Sequence, residues 1–213
     1  MKLFLLPLLA GLFLAAAPDE PAPIAAPATV APADAAPLAA ATFRIDPAHT
    51  TLGFRIRHMG IAFVEGEFDA FEGTIAFDPA DLAGTEATVT AQTASVDTDV
   101  EARDNHLRSA DFFEAETFPT MTFTSTGVQP TGQSRFRLTG DLTIKGTTRP
   151  VVFDVESAGP IPIEDGQRVG FHATTEIDRR DFGITWGSEL PGGIPAVGNL
   201  VQLVLDVEAV SGA

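Results

Sequence analysis

The chain has 213 residues, with 29 acidic side chains against 13 lysines and arginines and a net charge of -16, and it has room for one ordinary domain with flanking segments rather than two full domains. That balance disfavours nucleic acid as a partner, and disfavours docking on anionic lipid headgroups through a basic patch, because both need Lys and Arg; solubility is its plainer consequence. Cysteine is absent, which excludes disulfides, thiolate metal sites, a Cys nucleophile and a lipidated N-terminal Cys. Residues 1–17, MKLFLLPLLAGLFLAAA, place one positive charge ahead of an apolar core and small residues, the pattern of a secretory signal peptide. The apolar run is short of the roughly 20 residues that a membrane span needs. Residues 18–41 are almost entirely Ala and Pro and read as an extended linker, so the folded domain is expected over residues 42–213.

From Thr42 onward apolar residues recur with a period of two, which marks strands with one buried face. Leu52, Phe54 and Ile56 alternate with Gly53, Arg55 and Arg57; Phe71, Gly73, Ile75 and Phe77 alternate with Glu72, Thr74 and Ala76. Further series run through Val89 and Ala91, Met121 and Phe123, Phe136 to Ile144, Val151 to Val155, Val169 to Ile177, and Val201 to Val207. Turn signals separate them at Asp78-Pro79, Ala83-Gly84, Pro130-Thr131-Gly132, Lys145-Gly146, Asp165-Gly166 and Pro191-Gly192-Gly193. About eight strands with short connections predict an all-β antiparallel meander, and a sheet apolar on one side has to close on itself or on a second sheet. A barrel of about eight strands is just wide enough inside for side chains or one small ligand. Gly, Ala and Thr stand among the inward Phe, Leu and Val residues, which leaves space and favours a cavity.

One stretch breaks this rhythm. Thr98 and Glu101 have the spacing of a capping box. Asp99 with Arg103, and Asp104 with Arg108, stand four apart and close enough to pair, while Val100 and Leu107 supply an apolar stripe. The pattern predicts a short helix from Asp99 to Ser109. Phe112, Phe113, Phe118 and Phe123 follow, with Pro119 among them, more apolar area than an exit loop could leave in water.

Several short motifs follow one another: Phe43-Arg44-Ile45-Asp46-Pro47-Ala48-His49-Thr50, Phe54 with His58, Gly66-x-Phe68, Phe71-x-Gly73 and Ser95-Val96-x-Thr98. After these come Arg103-Asp104-x-His106-Leu107, Asp111-Phe112-Phe113, Phe118-Pro119-x-Met121-x-Phe123, the run from Gly140 to Val151, and Arg180-Asp181-Phe182-Gly183. Taken together they resemble the YceI-like polyisoprenoid-binding proteins of bacteria over essentially all of residues 42–210. Phe43 stands where that family usually has Trp, Lys145 where many members have His, and Thr50 where Ser is common. The resemblance implies an extended lipocalin-like antiparallel barrel with one small helix, an isoprenoid chain along its apolar interior, and export to the periplasm. The helix and its Phe cluster would then sit at the barrel mouth and floor the pocket.

None of the four histidines, His49, His58, His106 and His172, shows a metal-ligand spacing. His58 continues an apolar strand face, where it reads either as a donor to a ligand's polar end or as a satisfied interior histidine. His106, beside Arg103 and Asp104, reads either as part of a polar cluster at the rim or as a loop anchor. Asp97, Asp99 and Glu101 mimic the start of a calcium loop, but Ala102 holds the Gly position and Arg108 the closing carboxylate, which rejects it. Arg180-Asp181-Phe182-Gly183 reads as a strand end with a paired Arg and Asp and a turn that Gly permits.

The leading expectation is a non-enzymatic periplasmic carrier of a long-chain isoprenoid, a quinone or polyprenyl lipid, with no cofactor beyond that ligand. Its contacts would come from Phe54, Ile56, Phe71, Leu107, Phe112, Phe123, Phe136, Leu138, Leu142, Phe171 and Leu203, with His58, Arg103 and His106 orienting the polar end. A homodimer and a membrane-associated donor or acceptor protein are compatible with that role. Two other readings stand beside it: a lipid-acting enzyme using His106 and Asp104, and a filled barrel serving as an interaction module.

Overall fold

The computed structural model describes residues 40–212, so the expected signal peptide and nearly all of the expected linker lie outside it. The strands are β1 (Ala41–Ile45), β2 (Thr51–His58), β3 (Ala62–Phe68), β4 (Phe71–Phe77), β5 (Glu86–Gln92), β6 (Val96–Asp97), β7 (Thr120–Pro130), β8 (Arg135–Ile144), β9 (Thr147–Ile163), β10 (Gly166–Asp178), β11 (Glu189–Leu190), β12 (Ile194–Pro195) and β13 (Val197–Ser211). One α-helix, α1 (Glu101–Arg108), lies between β6 and β7.

Eight of the strands close into an antiparallel ring, in the order β1, β4, β5, β7, β8, β9, β10, β13 and back to β1. The long β13 pairs with β10 from Leu200 to Ser211. Its other edge is divided, with β1 opposite Ala209 and Val210 and β2 opposite Val197 to Asp206. β2, β3 and β6 therefore form a leaf that branches from the ring and prolongs its wall. The expected lipocalin-like barrel of about eight strands is thus present. Ala41, placed at the end of the linker on sequence, is already in the first strand.

Alternation explains the wall. Phe136, Leu138, Leu142 and Ile144 of β8 are buried opposite Val155, Phe153, Arg149 and Thr147 of β9, and β10 adds Val169, Phe171, Ala173 and Ile177. Each of the larger apolar side chains contributes about 1.5–3 kcal/mol on burial. Gly140 interrupts the β8 series because the Phe123 ring lies over it, 2.3 Å from where a Cβ would be. That ring meets Phe153 edge to face, with centroids 5.3 Å apart. The β8–β9 turn uses Lys145 and Gly146 at φ 49° and 71°, the left-handed pair that a two-residue hairpin requires.

The barrel differs along its length. Where β1 closes the ring it is solid: Phe43, Phe77, Phe136, Val169 and Ala209 have almost no exposed surface. At the opposite end, inward residues of β2 and β13 such as Phe54, Ile56, Leu203 and Leu205 remain only half-buried, because they face a hollow.

The helix departs from expectation at its start. It begins at Glu101, and its N-cap Val100 makes no side-chain cap and is exposed. Thr98 is not a capping residue: its hydroxyl bonds the Asp104 carboxylate and accepts from Arg103 Nε at 2.7 Å. Neither expected i,i+4 pair forms among the described residues. Arg103 Nη2 donates to the Thr98 carbonyl at 2.6 Å, and Arg108 donates at 2.7 Å to the carbonyls of Ala94 and Val96. Buried Asp104 and the two arginines thus dock the helix on the segment Ala94–Thr98 around β6, which offered more hydrogen bonds than solvated pairing along its surface would.

Candidate functional site

The hollow end of the barrel encloses a cavity of about 460 Å³, within the size range of small-molecule sites, roughly 300–1,000 Å³. Its wall is almost wholly carbon. β2 contributes Leu52, Phe54 and Ile56, β3 Val64 and Phe68, β5 Ala87, Val89 and Ala91, and β13 Val201, Leu203, Leu205 and Val207. From the ring come Met121, Phe123, Phe136, Leu138, Leu142, Phe153, Phe171, Ala173 and Ile177. Leu107, Phe112 and Phe113, from α1 and the loop after it, cover the hollow on one side.

All of the expected ligand-contact residues except Phe71 stand on this wall: Phe54, Ile56, His58, Arg103, His106, Leu107, Phe112, Phe123, Phe136, Leu138, Leu142, Phe171 and Leu203. Phe71 shares their inward face but is only packed against the two core clusters, beside Ala91 and Met121 of the neighbouring strands, and does not reach the hollow. Period-two reasoning assigns a face, whereas depth along the barrel decides between wall and core.

Polar groups gather at the open end. His58 continues the inward series of Phe54 and Ile56 to the rim, where it is exposed, and is not an interior histidine. His106 matches its loop-anchor reading, while Arg103 and Asp104 bond Thr98 and not His106. Its ring lies on the cavity wall, edge-on to Phe112 and Trp186 at 5.0 and 4.8 Å, and its Nε2 hydrogen-bonds Asp111 Oδ2 at 2.9 Å. Asp104 is committed to Thr98, so the His106–Asp104 acid-base pair of the enzyme reading is not assembled. Lys145 acts from behind the loop: its Nζ donates to the Ala110 carbonyl at 2.7 Å and lies 3.4 Å from Glu114, fixing the segment that carries Phe112 and Phe113.

Among the wall residues absent from the expected set, Trp186 and Arg179 stand outside the strands. Arg179, 5% exposed, opens the short 3₁₀ turn Arg179–Phe182 after β10. Its guanidinium donates to the carbonyls of Gly198, Ile184 and Trp186 at 2.7–3.0 Å and to Asn199 Oδ1 at 3.2 Å. Burial holds its pKa below the ordinary arginine value, with Asp178 acting in the opposite sense. The turn ends on Gly183 at φ 77°, as expected, but Arg180 pairs with Asp178 and not with Asp181. Among the described residues, the side-chain polar groups on the wall therefore belong to Arg, His, Thr and Trp186, and no carboxylate lines the hollow.

Residues 43–209 match the family model of the YceI-like domain. The chain belongs to the YceI-like family. This YceI-like chain is 40% identical over 149 residues to a UPF0312 protein of Vibrio cholerae, covering 68% of its own length and 78% of the relative. Among solved structures it is similar to the YCEI protein of Campylobacter jejuni, with 36% identity, a TM-score of 0.65, and coverage of 79% of this chain and 96% of that one. A polyisoprenoid binding domain from Saccharophagus degradans shares the fold, with 16% identity, a TM-score of 0.58, and coverage of 81% and 99%.

Elsewhere on this YceI-like barrel, Asp46, His49 and Glu208 bring possible metal-ligand atoms within 4.8 Å of one another at the solid end. Arg168 Nη1 lies on both carboxylates, 3.1 Å from Asp46, and His49 Nδ1 is bonded to Asp46 at 2.9 Å. A guanidinium holds the place a cation would take. His172 lies outside the barrel, bonded to Asp206 at 2.7 Å.

Proposed function

We propose that the protein is a non-enzymatic carrier of a long-chain isoprenoid lipid, a quinone or polyprenyl compound, held tail-inward in the hollow and working in the periplasm. The observation that carries this reading is the asymmetry of the cavity: hydrocarbon along nearly all of its length, with the arginine and histidine donors gathered at its open end and only threonine hydroxyls elsewhere on the wall. Each CH₂ moved from water into such a wall contributes about 0.8 kcal/mol, so a few isoprene units exceed the several kcal/mol that association and ordering cost. Donors from Arg103, His58 and His106 suit a headgroup rich in acceptor oxygens. Family membership supports the reading, as does the isoprenoid named for the Saccharophagus degradans domain of the same fold. The segment 1–17 supports export.

Organic extraction of the purified protein followed by mass spectrometry tests it. The expected result is an isoprenoid recovered in near-stoichiometric amount, or taken up when long-chain quinone or polyprenol is added in detergent. Protein that comes out empty and takes up neither compound refutes the carrier.

A further inference from the structure

The open end carries more apolar surface than a water-facing rim needs. Three residues beyond His58, at the tip of the β2–β3 hairpin, Ile61 is 83% exposed, and Met59 beside it is also exposed. The β11–β12 hairpin reaches the same place. Ile194 of β12, 45% exposed, lies 3.9 Å from where a Cβ on Gly60 would be, and Met59 N donates to the Ala196 carbonyl at 2.9 Å. One step back on the outer face, the guanidinium groups of Arg55 and Arg57 lie over the Phe63 ring at 3.8 and 4.0 Å. The acidic neighbours of this collar are Glu65, 4.0 Å from Arg55, and Glu189 on β11.

From this arrangement we infer that the two hairpin tips dock the open end of the barrel on a phospholipid bilayer. The apolar tips enter the interface, and the arginine–aromatic collar lies at the depth of the phosphates. Apolar side chains at the leading edge with cationic and aromatic groups behind them are what an interfacial anchor consists of. The net charge of -16 works against broad electrostatic attraction, so insertion of the tips has to supply the binding and the collar acts locally. The choice of a bilayer over another partner rests on the carrier reading. The tips are continuous with the mouth of the hydrocarbon-lined hollow, and a membrane is the phase from which an isoprenoid would enter it.

Flotation with vesicles of phosphatidylethanolamine and phosphatidylglycerol tests the docking without reference to cargo, so its failure is distinct from an empty extraction. Wild type should float. The double variant Ile61→Ser, Ile194→Ser changes only exposed side chains and should float about tenfold less. Ile161→Ser, exposed at the opposite end of the barrel, should behave as wild type. Wild type that stays in solution, a double variant that floats equally well, or an equal loss in Ile161→Ser overturns the inference. So does a wild-type dimer that the double variant dissolves, since a second copy would then be the partner of the tips.

Discussion

Replacing Arg179 by Met should be among the most damaging single changes in the protein although no carboxylate is lost with it. The methionine approximates the aliphatic stem but leaves four acceptors without donors: the carbonyls of Gly198, Ile184 and Trp186, and Asn199 Oδ1. A buried acceptor left unpaired costs about 1–3 kcal/mol. The Ile184 carbonyl is wholly interior and takes the full cost, while water reaches the other three in part. Removal of a desolvated cation returns some of that, as the lowered Arg179 pKa indicates, and the net loss should be about 3 kcal/mol. Urea unfolding followed by the emission of Trp186, the single tryptophan, reports on the same loop. The midpoint should fall by about 1–2 M. Arg179→Lys should recover less than half of the loss, because a compact ammonium cannot span acceptors arranged around a planar fork. A loss below about 1 kcal/mol, or full recovery with lysine, would refute this account of the residue.

Gly140→Ala should destabilise by about 1–3 kcal/mol in the same titration, because its Cβ would meet the Phe123 ring and the Thr124 carbonyl at 2.3 and 2.6 Å. Ala173→Leu places three more carbons in the hollow, so uptake of added isoprenoid should weaken at least about tenfold while the thermal midpoint does not fall; unchanged uptake would place the guest elsewhere. Lys145→Met should cost about 1 kcal/mol and raise the hydrogen-exchange rates of residues 110–115, whose carbonyl and carboxylate contacts it removes. The hydrogen bond from Arg180 holds the Asp178 pKa below its ordinary 3.8, and hydrogen bonds from His49 and the Ala48 amide do the same for Asp46. A depressed folded-state pKa contributes stability above the unfolded value and loses it as pH falls through the folded one. Thermal midpoints should therefore drop below pH 3.8, and Asp178→Asn should flatten that acid limb and lower stability at neutral pH; an acid limb identical to wild type would assign the drop to other carboxylates.

The barrel was legible where large apolar residues alternate without interruption, as in Phe136 to Ile144 and Val151 to Val155. β3 and β6 were not. The first reads AFVEGEF, with glycine and two glutamates diluting the pattern, and the second has two residues that only their neighbours make a strand. That β2 leaves the ring was beyond local reading as well, because it follows from β13 changing partners along one edge. At the helix, Thr98 and Glu101 had the right spacing, but a tertiary partner, Asp104, took the hydroxyl that local geometry assigned to the backbone. Most of the cavity wall followed from face assignment alone. Trp186 and Arg179 did not, since they lie after β10 in a segment without periodicity, where an arginine next to a charged pair looks like solvated surface. A lone tryptophan just after Ile184 was the one available hint.

Because the described barrel is blind where Phe43, Phe77 and Phe136 fill it, a guest held in the hollow would have to back out along the path by which it came. For the proposed isoprenoid, the head that entered last would leave first, and each added isoprene unit would lengthen the withdrawal. Residence time would then grade with tail length, making the protein a sieve by duration even among guests that share one headgroup.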